Sequence, residues 1–136
     1  MTGPIGLVET ALYSTLAAGT ALIADLGGTA IYNRIAPQSV ALPYLIFQWQ
    51  GGGDENETPH RTRNVVYTVK GVASTLAKAE AIDEEADKLL HGATLTVTGY
   101  TNIWCRRIDD VAYVEVDAAG KPVYHTGGQY RIWIAA

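Results

Sequence analysis

Cysteine is nearly absent from this sequence of 136 residues, in which Cys105 is the only one. A single cysteine cannot form an internal disulfide, so the fold cannot depend on a covalent cross-link within the chain. The first residues also lack the positive charge and the compact apolar block of a secretory signal. We therefore expect synthesis in a reducing, cytoplasmic compartment.

Charged residues are sparse and show no basic excess: they make up 18% of the chain, and the formal net charge is −4. A domain that binds duplex nucleic acid tightly needs surplus Lys and Arg to neutralise phosphates, so this composition disfavours that function. Hydrophobic residues make up 48% of the chain. That fraction excludes intrinsic disorder and, at this length, predicts a single domain, 1–136, with a substantial core.

No apolar run is long enough to cross a bilayer. The longest weakly polar stretch, Leu16–Ile31, is diluted by Gly and Thr and interrupted by Asp25, whereas a spanning helix needs about 20 consecutive apolar residues. The sequence is therefore typical of a soluble protein, and we expect no membrane partner.

Motifs of common catalytic and nucleotide-binding sites are also missing. The chain has no G-x-S-x-G, G-x-x-x-x-G-K-[ST], G-x-G-x-x-G, H-E-x-x-H or paired C-x-x-C motif. The glycine triplet Gly51–Gly53 precedes acidic residues rather than a helix, so no helix N-terminus is available there to hold a phosphate. We expect no enzymatic activity and no cofactor.

An acidic segment after the glycine triplet has two interpretations. Several oxygen ligands close together are what Ca²⁺ requires, but the spacing here does not match the standard calcium-binding loop, which favours a solvated acidic loop. The side chains concerned are those of Asp54, Glu55, Glu57 and His60.

Cys105 has a reactive and a structural interpretation as well. The adjacent Arg106 and Arg107 would lower the pKa of a neighbouring thiol. In an alternating strand, however, adjacent side chains point to opposite faces and only Arg107 returns to the cysteine side, which favours a packed cysteine. No histidine has a nearby serine or cysteine in a catalytic arrangement.

The periodicity of the apolar residues predicts helices and strands in the order helix, strands, helix, strands. The long polar stretch Gly51–Arg63, Asp109-Asp110 and Gly127-Gly128 are predicted to separate strands. The predicted elements are helices over 4–18, 20–26 (capped by Thr20 and ended by Gly27-Gly28) and from Ser74 or Thr75 to Gly92, with strands over 30–35, 44–50, 65–70, 94–97, 102–108, 111–116 and 129–134.

These elements predict an α+β fold in two layers. We expect an antiparallel or mixed sheet of about five strands, two main helices packed on one face, and one long inter-strand loop. The strands at 44–50 and 65–70 should pair antiparallel across the loop Gly51–Arg63.

Two features exceed what a self-contained monomer needs. The chain has three Trp and eight Tyr but a single Phe, a mixture that suits surfaces buried by a partner on one side and wet on the other. In the last strand, Tyr130, Ile132 and Ile134 share one face, so Arg131 and Trp133 should lie opposite the core. Trp133 is therefore a candidate for burial against a neighbouring subunit.

The order and spacing of several segments resemble the tail terminator, or tail completion, proteins of long-tailed bacteriophages and related gene transfer agents. The similarity runs almost from end to end. It is carried by Leu12-Tyr13 and Leu16-Ala17-Ala18, Ile31-Tyr32-Asn33-Arg34-Ile35-Ala36-Pro37, Leu42-Pro43-Tyr44-Leu45-Ile46, Ala79-Glu80-Ala81-Ile82 and Tyr130-Arg131-Ile132.

This resemblance implies a structural virion protein, assembled in the host cytoplasm and located at the head-proximal end of a tail. Proteins of that family form a six-membered ring that stops the addition of tube subunits and presents a surface to the head connector. The implied partners are copies of the chain itself, the tail tube protein and a connector or stopper protein. DNA would pass through the lumen without specific binding.

The residues expected to contact such partners are aromatic or lie in the polar loop. In that loop, Asp54, Glu55 and Glu57 are also candidates for lining the lumen of the ring. Two alternatives remain open: another ring of the head–tail junction, and a small α+β binding module or enzyme whose pocket uses Tyr, Trp and His60 or His125. The candidate interface residues are Trp49, Asp54, Glu55, Glu57, His60, Arg61, Arg131 and Trp133.

Overall fold

Three helices and five strands make up the fold in the computed structural model, which describes residues 4–54 and 62–135. In chain order they are α1 (Pro4–Ala17), α2 (Thr20–Leu26), β1 (Ile31–Asn33), β2 (Tyr44–Asp54), β3 (Thr62–Ala73), α3 (Leu76–Leu90), β4 (Thr101–Val116) and β5 (Pro122–Ala135).

The strands form one mixed sheet in the order β1-β2-β3-β5-β4. Only β1 and β2 run parallel, and the other three pairs are antiparallel. The helices pack their apolar side chains against one face of this sheet in a single core cluster. The predicted α+β architecture and the antiparallel pairing across the polar stretch are confirmed.

Local sequence signals explain the helices. Val8, Leu12 and Leu16 are fully buried at a spacing of four residues along α1, as an amphipathic helix requires. Thr75 caps α3 by accepting a hydrogen bond from the Lys78 amide at 3.2 Å. Gly27 ends α2 in the left-handed conformation, with φ of 76°. The predicted cap of α2 is wrong, because Gly19 occupies that position and makes no side-chain bond.

The strands are longer than predicted. Gly51–Asp54 continue β2 and Thr62–Arg63 begin β3, so the predicted loop is shorter than expected. The glycines still pair through their backbones with the neighbouring strand, and a β-bulge between Trp49 and Gly51 accommodates a shift in register. The part of the predicted loop between 55 and 61 lies outside the described residues.

The predicted breaks at Asp109-Asp110 and Gly127-Gly128 lie inside continuous strands, and the predicted strand over 94–97 is not formed. The glycines make room for a side chain: a Cβ on Gly128 would come within 2.6 Å of the Arg107 guanidinium carbon. That guanidinium donates to the Gly127 carbonyl at 2.8 Å. The two glycines therefore leave space for the Arg107 side chain and do not form a turn.

Two adjacent tyrosines connect the sheet to the helices. Tyr67 of β3 and Tyr130 of β5 are directly opposite and fully buried. Tyr67 donates to Glu9 of α1 at 2.8 Å, and Tyr130 donates to Asp87 of α3 at 2.7 Å. Burial, reinforced by these carboxylates, raises the pKa of both phenols. Both hydroxyls therefore remain donors at neutral pH.

Each carboxyl-bearing helix is also held by an arginine. Arg34 donates two hydrogen bonds to Glu9, at 2.6 and 2.8 Å, and Asn33 adds a third at 2.8 Å. Arg107 donates two to Asp83 of α3, at 2.7 and 3.1 Å. Paired, bidentate contacts of this kind fix position as well as charge.

Within residues 4–54 and 62–135, no single helix has the length and apolar character needed to cross a membrane. Helices α1 and α2 pass that test only as a pair bent by 82°.

Close packing of α3 on β3 makes Gly71 a sensitive position. A Cβ there would lie 2.8 Å from the Cβ of Ile82 and 3.0 Å from the Ala79 carbonyl. We expect Gly71→Ala to lower the free energy of unfolding by about 1–3 kcal/mol, because the helix must move outwards. Urea denaturation measures this. Gly51→Ala, where a Cβ meets nothing within 4 Å, is the control; equal losses in both variants would contradict the packing argument.

Ionised Glu9 should contribute stability that acid removes. Burial raises the pKa of Glu9, but bonds from Arg34, Asn33 and Tyr67 outweigh it and lower the pKa below 4.5. A carboxyl group whose pKa is lowered by folding stabilises the protein fully at a pH above its unfolded-state pKa. This contribution is lost as the pH falls through the folded-state pKa. We therefore expect Glu9→Gln to lose about 1.5–3 kcal/mol at neutral pH, a difference that shrinks below about pH 4. Denaturation curves across this range, with Glu80→Gln as a surface control, test the expectation.

Candidate interaction surface

The sheet face opposite the helices is a candidate surface for partners. Side chains alternate along each strand, so the buried row Val65, Tyr67 and Val69 faces the helices and its neighbours face away. We call this second side the open face. It carries Tyr44, Ile46, Val66, Thr68, Lys70, Val72, Trp104, Arg106, Tyr113, His125, Arg131 and Trp133.

Tryptophan and arginine side chains concentrate where β3, β5 and β4 run side by side. The rings of Trp104 and Trp133 pack edge to face with centroids 5.6 Å apart. Arg106 and Arg131 are directly opposite each other in the same two strands, and Arg106 lies over the Trp104 ring at 5.3 Å. With the neighbouring Asn64, these residues form what we call the Trp–Arg patch.

Polar atoms in the Trp–Arg patch are shielded from solvent without being satisfied. Asn64 Oδ1, Arg131 Nε and Trp133 Nε1 have no hydrogen-bond partner among the described residues. A buried polar group without a partner costs about 1–3 kcal/mol. The patch therefore carries an unmet hydrogen-bonding cost within the described subunit.

Next to the patch, β4 is an edge strand. It pairs only with β5 over its whole length of 16 residues, so one side of its backbone has no strand partner in the described sheet. Ile108, Tyr113, Val114 and Val116 of this strand are exposed, Val116 to 70%. Long apolar edges promote association unless something covers them.

A cleft of about 540 Å³ lies between residues 34–44 and the end of the β4–β5 hairpin. On its wall, the His125 ring stacks on Tyr113 with centroids 4.4 Å apart and lies 3.8 Å from the Glu115 carboxylate. Burial and the charge of Lys70 lower the pKa of His125, against the opposing effect of Glu115. His125 is therefore a neutral, packed side chain at neutral pH.

Neither a metal-binding cluster nor an accessible cysteine is found among the described residues. No group of three or more His, Cys, Asp or Glu side chains within residues 4–54 and 62–135 is placed to hold a metal ion. Cys105 is fully buried, and burial raises the pKa of its thiol to about 12. The packed-cysteine interpretation is confirmed, because a thiolate does not form there at neutral pH.

The structure separates the residues predicted to contact partners. Arg131 and Trp133 lie together in the Trp–Arg patch, whereas Trp49 faces the helices and packs edge to face on Tyr67 at 5.9 Å. Asp54 is the last residue of β2, paired with Arg63. The other candidates, Glu55, Glu57, His60 and Arg61, lie outside the described residues.

Sequence reasoning missed Trp104 and Arg106. The available signal was their position on either side of a buried cysteine, which places both on the face opposite the core. What the sequence did not show is that β4 pairs with β5, which sets Trp104 against Trp133 and Arg106 against Arg131.

Comparisons with known proteins agree with this architecture. The sequence model of the family described as "Tail completion protein gp17" matches residues 10–135. A solved chain of "Virion of native gene transfer agent (GTA) particle" is similar in fold, with a TM-score of 0.82 and 20% sequence identity over 100% of both chains. No curated protein sequence matches this chain.

His125 should make stability depend on pH near neutrality. The pKa of His125 is lowered from 6.5 in the folded state. The contribution of neutral His125 to stability is therefore complete at a pH above its unfolded-state pKa, and it is lost as the pH falls through its folded-state pKa. We expect His125→Phe, which keeps a ring to stack on Tyr113, to flatten the decline in Tm between about pH 7 and pH 5. At about pH 8 the variant should be at least as stable, because neither imidazole nitrogen has a hydrogen-bond partner among the described residues. An identical slope in both proteins would contradict the assignment.

Proposed function

The chain belongs to the tail completion protein gp17 family, and from this membership we propose that it forms a six-membered ring at the head-proximal end of a phage-like tail tube. The ring ends tube polymerisation and joins the tail to the head connector. Family membership confirms the resemblance found in the sequence, and it makes the chain a structural component of a virion tail.

The observation that carries the ring proposal is the open face. Helices cover one side of the sheet, while the other side has no helix packed on it in the described structure and carries the Trp–Arg patch, in which Arg106 is exposed. A cyclic ring needs two different complementary patches on each subunit. The open face provides one of them, and the exposed apolar edge of β4 adds further surface for a partner.

Termination of a tube follows from selective binding. One side of the ring must fit the last ring of tube subunits well enough to compete with another tube subunit. The opposite side must lack the surface that continues polymerisation, so the next tube subunit finds no complementary contact. This mechanism needs neither a cofactor nor a catalytic group.

Charge supports passage of DNA through such a ring. Six copies with a formal charge of −4 each carry −24. Carboxylates that line the lumen repel phosphates and prevent DNA from adhering to the wall. The acidic side chains of Asp54, Glu55 and Glu57 are our candidates for this lining.

Contact residues for the partners follow the same argument. Arg131 and Trp133 are the candidates with a described surface, and Trp49 is a candidate at the helix-facing side of β2. Glu55, Glu57, His60 and Arg61 remain candidates from their sequence.

The experiment combines native mass spectrometry with negative-stain imaging of the purified protein, alone and mixed with its cognate tail tube protein. We expect six-membered rings that bind tube ends and shorten the distribution of tube lengths. A protein that stays monomeric in both conditions and does not limit tube length would contradict the proposal. Binding to the portal complex but never to tubes would instead assign it to another ring of the junction.

A further inference from the structure

Two arginines, which have no carboxylate partner among the described residues, dominate the Trp–Arg patch. Arg106 and Arg131 are directly opposite in β4 and β5, which places their Cα atoms about 4.5–5.5 Å apart. Like charges at such a position destabilise a sheet. Within the described chain neither guanidinium forms an ion pair, and the nearest acid along this face, Asp109, accepts a bond from the Asp110 amide. Among the described residues the pair therefore has no carboxylate to offset its repulsion, and a partner that supplies carboxylates would relieve it.

A matching pair of carboxylates lies on the outer side of α3. Leu76, Glu80 and Glu84 follow one another at intervals of four residues on the exposed side of the helix; we call them the outer row. Residues at this interval have Cβ atoms about 5–6 Å apart. The spacing of the two carboxylates therefore matches that of the two arginines.

The outer row is available for binding. Leu76 is 48% exposed although it is a large apolar side chain, and Glu80 has no ion pair in the described structure. Glu84 lies 3.7 Å from Lys88, with both side chains more than half exposed. Such a surface pair contributes little stability, so it does not prevent Glu84 from binding elsewhere.

We infer that the outer row of one copy docks on the Trp–Arg patch of the next copy. Glu80 and Glu84 then accept hydrogen bonds from Arg106 and Arg131, and Leu76 packs on the accessible part of the partly buried Trp104–Trp133 pair. The helix of the next copy becomes the missing third layer over the open face. This inference rests on the proposed self-assembly and specifies which surfaces carry it.

The geometry favours a second copy over nucleic acid. Two arginines beside Asp109, on a chain with net charge −4, do not form the extended basic surface that a phosphate backbone requires. The outer row and the patch are also on different faces of the subunit, so their contact is heterologous. Heterologous contacts close into rings when the rotation between copies allows it.

Charge reversal tests the contact from both sides. Arg106→Glu/Arg131→Glu sets four carboxylates against each other, and Glu80→Lys/Glu84→Lys sets two lysines against two arginines. We expect each variant alone to need at least about a tenfold higher concentration for assembly than the wild type. Mass photometry or native mass spectrometry measures the assembled fraction.

Mixing the two variants is the decisive step. In a ring in which the two variants alternate, the now acidic Trp–Arg patch of the first variant meets the now basic outer row of the second. The wild-type outer row of the first variant meets the wild-type patch of the second. We therefore expect the equimolar mixture to form even-membered rings at about the wild-type concentration. Restored assembly also shows that both variants fold. Lys121→Glu and Gln38→Lys, exposed changes outside both surfaces, should leave assembly unaffected.

Several outcomes would overturn the inference. If the wild type forms rings and both variants form the same rings, the two surfaces are not the interface, although the proposed function stands. If the mixture does not recover assembly while circular dichroism shows folded variants, the surfaces do not meet. Rings that form normally in the Arg106→Glu/Arg131→Glu variant but lose tube binding or retention of duplex DNA assign the patch to that other partner. A wild type that never assembles contradicts the proposed function itself.

Discussion

Hydrogen bonds from two adjacent buried tyrosines to two different helices determine how the layers of this protein fit together. Tyr67 and Tyr130 face the helices from the centre of the sheet, and their hydroxyls donate hydrogen bonds to Glu9 of α1 and Asp87 of α3, respectively. Because a buried hydroxyl or carboxylate without its partner is costly, neither helix can slide along the sheet without losing these bonds. Arg34 and Arg107 add bidentate contacts at the rims of the same interface.

The helices pack on one face of the sheet and leave the other face without a covering layer in the described structure. That face is not a polar, solvated surface of the kind that antiparallel sheets often present to water. It holds the Trp104–Trp133 pair, two opposed arginines and polar atoms without described partners. The same arrangement that stabilises the subunit therefore produces the surface through which we propose that it assembles.

A two-layer subunit of this kind suits the role that we propose, which is to end a polymer. The proposed function depends on where binding surfaces are present and where they are missing, and no step of it requires a reactive group. The chemistry of the described chain agrees: Cys105 is buried with a raised thiol pKa, and His125 is packed on Tyr113 with a lowered one. Both side chains serve packing in the subunit.

Local and periodic sequence signals determined the element order, the cap at Thr75, the left-handed Gly27 and the core side of the last strand, because each depends on neighbours within a few residues. They also placed Arg131 and Trp133 away from the core. Tertiary structure alone decided that Gly127-Gly128 leave space for the Arg107 side chain and that β4 continues through Asp109-Asp110. It alone brought Trp104 and Arg106 beside Trp133 and Arg131, because pairing between strands depends on contacts between residues distant in sequence, which alternation within one strand does not encode.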